Sequence, residues 1–225
     1  PLNPKTLNDY ASRRVMSILA TTVPGLEDYV VREVERRRGS GVSHSYGKMS
    51  GRVILELGEA SMVAAKSFLA TMRTIENAYY LLHRGTVGPR LSDLDAAISG
   101  IDLSELTSVV TPETSIAIEA MRTGNHEYTS TVVASRVGDA VVSFLEGGGV
   151  RPFVNLSNPD VVIGVHVIGD QLLLGVKLTR STMRDRDYRV GSHPASLNPV
   201  IAFAMIMMAD PEDGETICDL TCGGG

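Results

Sequence analysis

From Thr129 to Leu145 the apolar residues Val132, Val133, Val137, Ala140, Val141 and Phe144 recur at helical spacing, and three glycines, Gly147–Gly149, stop the pattern. Beside that helix stand stretches of the other period. Residues 115–121 (SIAIEAM), Phe153–Leu156, Val161–Ile168 and Gln171–Leu178 read as strands, and the last two flank Gly169-Asp170, a hairpin signal. A helix with one apolar stripe next to strands buries that stripe on their sheet, so the expected class is α+β. The first ninety residues repeat the theme. Residues 15–20 (VMSILA) and 52–57 (RVILEL) predict strands. Leu26, Val30 and Val34 predict a helix stopped by Gly39 and Gly41, and Met62, Ala65, Phe68, Leu69 and Met72 predict a second. A short third helix is expected at Asn77–Leu82, and Leu91–Leu106 also reads as helical.

Charge narrows the function. The net charge of −5 and pI near 5.6 exclude a strongly basic nucleic-acid binder, but not one with a local basic face. Arg36–Arg38 are consecutive, and Arg180, Arg184, Arg186 and Arg189 cluster; solvated surface is the plain reading of both. The longest apolar run, Val200–Met208, is well short of the roughly 20 residues of a membrane span. No basic-then-apolar stretch of the signal-peptide kind opens the sequence. The two cysteines, Cys218 and Cys222, make neither a disulfide framework nor a zinc site, so a reducing, cytoplasmic setting is expected.

The tail changes character. Pro194–Ala209 reads as a helix, with Ser192 as its candidate cap. Residues 216–220 (TICDL) read as a buried strand running into Gly223–Gly225, the kind of turn that opens a nucleotide-binding helix. The run YRVGSHPASLNPVIAFAMIMMADPEDGETICDLTCGGG (Tyr188–Gly225) resembles the start of the methyltransferase domain in RNA guanosine-N2 methyltransferases that follow a THUMP domain. In that family a His-Pro-Ala-Ser-Leu run, here His193–Leu197, leads to an Asp-x-x-Cys-Gly-x-Gly motif, here Asp219–Gly225. Arg122–Val141 with Val154–Thr179 resembles a THUMP domain. Leu19–Val34, Gly51–Leu57 and Thr74–Leu82 together resemble the ferredoxin-like domain that precedes it.

The resemblance implies a ferredoxin-like domain at 1–90 and a THUMP RNA-binding domain at 91–180. At 181–225 it implies a linker with the first helix and strand of an α/β Rossmann-fold methyltransferase domain that is cut short. It further implies S-adenosyl-L-methionine as methyl donor, the exocyclic amine of a tRNA guanosine as acceptor, and a grip on the acceptor end of tRNA. A monomer without metal or membrane attachment is expected. A stand-alone RNA-binding module and a ribosomal-RNA methyltransferase are the alternatives.

The site residues follow. Asp219, Cys222, Gly223 and Gly225 are the cofactor-binding candidates: glycine lets the backbone approach the ligand closely, and helix-start N–H groups suit its carboxylate. Leu220 stands where many relatives have proline, and Cys218 is expected in the core. Arg122, His126 and Tyr128 offer a cation and two rings to phosphate and base. Arg122, His126, Lys177 and Arg180 are the RNA-binding candidates. Asn155, Asn158 and Asp160 read as turn formers, and His193 as part of a helix start. The family's catalytic Asn/Asp-Pro-Pro-aromatic motif occurs nowhere in the chain, so no catalytic residue is assigned and the chain alone is expected to transfer no methyl group.

Overall fold

Strands form where β-branched and aromatic residues run together, and helices where apolar residues fall three and four apart. The computed structural model describes residues 16–39, 42–58, 61–179, 182–183 and 196–222. The first half consists of β1 (Ser17–Thr21), α1 (Glu27–Arg38), β2 (Ser43–Tyr46), β3 (Arg52–Glu56), α2 (Met62–Thr71) and β4 (Asn77–Thr86). The second half continues with α3 (Leu91–Ser99), a 3-10 turn at Ser104–Ser108, β5 (Ser115–Thr123), α4 (Ser130–Gly147), β6 (Phe153–Val154), β7 (Val161–Ile168) and β8 (Gln171–Lys177). A final helix, α5, spans Pro199–Ala209. Side-chain oxygens cap three of the helices: Ser61 accepts from the Ala64 N–H, Thr129 from Val132 and Asn198 from Val200.

All eight strands join one sheet in the order β2-β3-β1-β4-β8-β7-β5-β6. The two halves are stitched by β4 and β8, antiparallel from Tyr79 opposite Lys177 to Thr86 opposite Gln171, with a register shift between Leu81 and His83. The helices supply one layer. Val30 and Val34 of α1, Ala65 and Leu69 of α2, Leu94 and Ile98 of α3, and Val133, Val137, Val141 and Leu145 of α4 share a single core with Ile18, Leu55, Ile163, Val165 and Leu174 of the sheet. The opposite face carries only a small cluster of Leu19, Ile54, Tyr79 and Leu173.

Several expectations are corrected. Asn77–Leu82 is not a helix but the first part of β4. Its unbroken apolar run arises because both faces are covered: Ala78 and Tyr80 face the helix layer, Tyr79 and Leu81 the small cluster. The helix expected over Leu91–Leu106 ends at Ser99, capped by Gly100, and resumes only as the 3-10 turn. β2 was unforeseen, since its polar SHSY sequence is exposed throughout and has no apolar alternation. The last helix begins at Pro199 behind Asn198, not at Pro194, because Asn198 caps and proline suits the first helical position; Ser192 and Pro194 lie outside the described residues. Thr216–Leu220 forms no strand and is exposed, Cys218 with it, because no strand among the described residues pairs with it.

The arginines of α1 are structural. Arg36 pairs with Asp210, Arg37 with Glu33, and Arg38 lies over the Phe68 ring at 5.1 Å. Asn155 folds its amide onto its own turn, accepting from the Ser157 and Asn158 N–H groups, and Asp160 accepts from the N–H and hydroxyl of Ser115.

Tyr79 crosses the open face and its ring lies against Gly164, where an added Cβ would sit 2.3 Å from a ring carbon. Gly164→Ala is therefore expected to lower stability by about 1–3 kcal/mol through overpacking. Urea unfolding of the variant checks this, and an unchanged midpoint would show that the ring moves aside freely.

Candidate functional site

Strand parity decides which side chains reach the face without helices. On β3 it selects Arg52 and Ile54, on β4 Tyr79, on β8 Leu173 and Lys177, and on β7 Gly164, His166 and Ile168. Arg52 and His166 lie four strands apart in sheet order, about 19 Å on a flat sheet. Yet Arg52 Nε donates to His166 Nδ1 at 3.4 Å. The sheet therefore curls toward this face and makes it concave.

His166 is 1% exposed, and its ring meets Tyr79 edge-on at 5.0 Å. Burial first, then the nearby Arg52 and Lys177 charges, push its pKa down to about 3. It is neutral at pH 7. Because a guanidinium can only donate, Nδ1 is the acceptor and the proton sits on Nε2. Burial likewise holds the Arg52 guanidinium below its usual range and the Tyr79 hydroxyl above its own.

At the start of α4, Arg122 Nη1 donates to the Gly124 carbonyl at 2.6 Å and meets His126 Nδ1 at 3.3 Å. The same rule places the His126 proton on Nε2, where it donates to the Gly169 carbonyl at 2.8 Å. These bonds tie the β7–β8 turn to the loop before α4. Tyr128 departs from expectation: it is buried, with its hydroxyl donating to the Gly88 carbonyl at 2.9 Å, so its ring belongs to the core. Lys177 is partly buried and its ammonium lies 3.0 Å from Glu119. The structure thus brings Arg122 and His126 together and sets Lys177 apart on the open face. Arg180 and His193 lie outside the described residues.

Comparison with known proteins adds the decisive observation. Residues 92–177 match the THUMP domain, and residues 186–225 match the RMKL-like methyltransferase domain. A tRNA (guanine(6)-N2)-methyltransferase of Archaeoglobus fulgidus is 38% identical over 213 residues, 94% of this chain and 52% of that protein. The chain joins a THUMP domain to the start of an RMKL-like methyltransferase domain. It spans about half the length of the curated relatives it matches. The crystal structure of TrmN from Thermus thermophilus superposes with a TM-score of 0.61 at 29% identity, covering 87% of this chain and 55% of that one. A ribosomal RNA large subunit methyltransferase K/L of Methylococcus capsulatus is 27% identical over 91% of this chain and 27% of its own length.

Arg122, His126 and Lys177 fall inside the THUMP match, while Arg52 and Tyr79 come from the preceding half. Asp219, Cys222, Gly223 and Gly225 fall inside the methyltransferase match. Asp219 and Cys222 are exposed, and the Asp219 carboxylate accepts from the Thr221 N–H at 2.8 Å. Gly223 and Gly225 lie outside the described residues. Asp219 and Cys222 are thus the described members of the cofactor-binding set, and Thr216–Leu220 beside them is not a strand. Among the described residues no His/Cys/Asp/Glu group suits a metal ion, and no helix is long and apolar enough to cross a membrane. Sequence reasoning missed Arg52 and His166. The signal was parity: in VVIGVHVI, His166 shares a face with Gly164 and Ile168, opposite the core residues Ile163, Val165 and Val167.

Proposed function

We propose that this chain is the RNA-binding portion of an S-adenosyl-L-methionine-dependent methyltransferase acting on the exocyclic N2 of a tRNA guanosine. The observation that carries the reading is the succession of a THUMP match and a methyltransferase match, alongside a 38% identical relative named for that reaction. The methyl donor belongs to the family chemistry implied by the Asp219–Gly225 motif. The ribosomal-RNA alternative is disfavoured by the lower identity of the K/L relative. A stand-alone binding module is disfavoured by the match over residues 186–225.

The domain reading is ours as well: 1–90 ferredoxin-like, 91–180 THUMP, and 181–225 linker and start of the methyltransferase domain. The order β1-α1-β2-β3-α2-β4, with β2-β3-β1-β4 adjacent in the sheet, supports the ferredoxin-like reading. Arg122, His126, Lys177 and Arg180 are assigned to RNA contact, with the acceptor end of tRNA as the ligand and a cytoplasmic monomer as the working state.

The chain is expected to bind unmodified tRNA without cofactor, with affinity falling steeply as salt rises, because phosphate contacts dominate such binding. Filter binding across a salt series tests this, with ribosomal RNA as competitor. Arg122→Ala is expected to weaken binding more than Lys177→Ala, because the Lys177 ammonium is already held by Glu119. Affinity indifferent to salt, or ribosomal RNA competing as well as tRNA, would count against the assignment.

A further inference from the structure

The concave face holds a cleft that the THUMP and methyltransferase matches do not explain. It measures about 360 Å³ and lies between the β2–β3 edge and the β7–β8 turn, with Tyr46, Ser50, Arg52, Arg84, Asp170 and Gln171 in its lining. Its volume falls at the small end of ligand pockets.

Arg52 sets its chemistry. Its Nη1 donates to the Ser50 carbonyl and its Nε to neutral His166. No carboxylate among the described residues pairs with it, although the side chain is half-buried between Ser50 and His166. A guanidinium partly withdrawn from water without a counter-ion is a costly arrangement in a folded chain. Holding Nε and Nη1 leaves Nη2 without a partner among the described residues and already oriented by its neighbours. Arg84, exposed on β4, brings a second cation with no ion-pair partner among the described residues. Asp170 is the one carboxylate among the described lining residues, which together carry a net positive charge. A fixed guanidinium and a second one lining the same cleft are a donor set that suits the tetrahedral oxygens of a phosphate.

We propose that Arg52 and Arg84 form a phosphate clamp, in which the cleft takes one backbone phosphate of the bound RNA with its ribose toward Ser50 and Gln171. This rests on the RNA-binding reading above and adds a contact from the first half of the chain. His166 acts as a positioning residue: it orients Arg52 without adding charge.

Two measurements on this chain decide it. In the first, the arginine Nε–Hε signals are followed by NMR while inorganic phosphate is added. A saturable shift at Arg52, weakened in Arg84→Ala, is expected, and no shift in the wild-type chain overturns the clamp. In the second, affinity for unmodified tRNA is measured across a salt series. Arg84→Ala, at an exposed position, is expected to bind roughly tenfold more weakly at low salt. Its slope of log Kd against log salt should fall by about one. Arg52→Lys keeps the charge but loses the fork, and should also weaken binding while its circular dichroism melt stays cooperative. If Arg84→Ala binds tRNA like the wild-type chain while phosphate still shifts Arg52, the cleft serves a free phosphate and the RNA assignment is overturned. If the wild-type chain binds no tRNA, the proposed function fails and takes the RNA clamp with it. The phosphate titration then shows independently whether an anion site exists.

Discussion

Glu33→Ala is expected to remove about 3–5 kcal/mol of unfolding free energy, as read by urea denaturation at neutral pH. Glu33 sits on α1 and is 2% exposed. Its carboxylate accepts from the Arg73 N–H at 2.9 Å, the Thr74 N–H at 2.9 Å, the Thr74 hydroxyl at 2.7 Å and Arg37 Nε at 2.9 Å. Thr74 is itself fully buried, and its carbonyl accepts from the Thr22 hydroxyl at 2.6 Å. One side chain thus holds the bend between α2 and β4 against α1 and the end of β1. Alanine would strand the buried Thr74 N–H and hydroxyl and leave the Arg73 N–H without its acceptor. Glu33→Gln should fall between, since its NH2 would face donors in place of an acceptor. A loss under about 1 kcal/mol for Glu33→Ala would mean that water substitutes for the carboxylate.

Acid should weaken the fold well before the carboxylates titrate. His166 stays neutral in the folded protein down to about pH 3, whereas in the unfolded chain it titrates near 6.5. Between those values the unfolded state binds more protons, so stability falls as pH drops. The His166 contribution is complete above pH 6.5 and lost progressively below it, by about 2 kcal/mol at pH 5 and roughly 5 kcal/mol at most near pH 3. Burial produces this first and then the Arg52 and Lys177 charges, while the Tyr79 ring packs edge-on against the imidazole. Asp160, whose pKa is lowered by hydrogen bonds from Ser115, keeps its stabilising contribution above the usual carboxylate pKa and loses it only as pH falls below that range. Urea midpoints measured from pH 7.5 to pH 5 (at constant ionic strength) should decline in the wild-type chain. They should fall less steeply in His166→Gln, which retains an acceptor for Arg52, the remaining decline coming from groups such as His83, whose pKa burial also lowers. Equal slopes in the two proteins would place the acid sensitivity elsewhere.

Much of the architecture was legible in the chain because local signals agreed with it. The α4 stripe from Val132 to Phe144 with Thr129 before it, the hairpin at Gly169-Asp170, and the helix stopped at Gly39 all depend on neighbours within a few residues. The motifs at Arg122–Val141 and Tyr188–Gly225 were equally local, which is why the family could be read from them. What failed depended on distant partners. Asn77–Leu82 reads as helix or strand with equal ease until β1 and β8 flank it. Thr216–Leu220 has strand composition but no described strand to pair with, and a strand needs its ladder.

The sequence by itself determined most element types, the α+β class and the likeness to THUMP-containing methyltransferases, since periodicity, caps and turn residues act over short spans. Only the tertiary structure decided that both halves share one curled sheet, and that Glu33 is a buried anchor while Tyr128 is core. It alone brought Arg52, His166 and Tyr79 together on the concave face. Residues 114 positions apart, such as Arg52 and His166, meet through the β4–β8 pairing and the curvature it carries. No local pattern encodes that meeting, because it arises from the summed twist of strands remote from both residues.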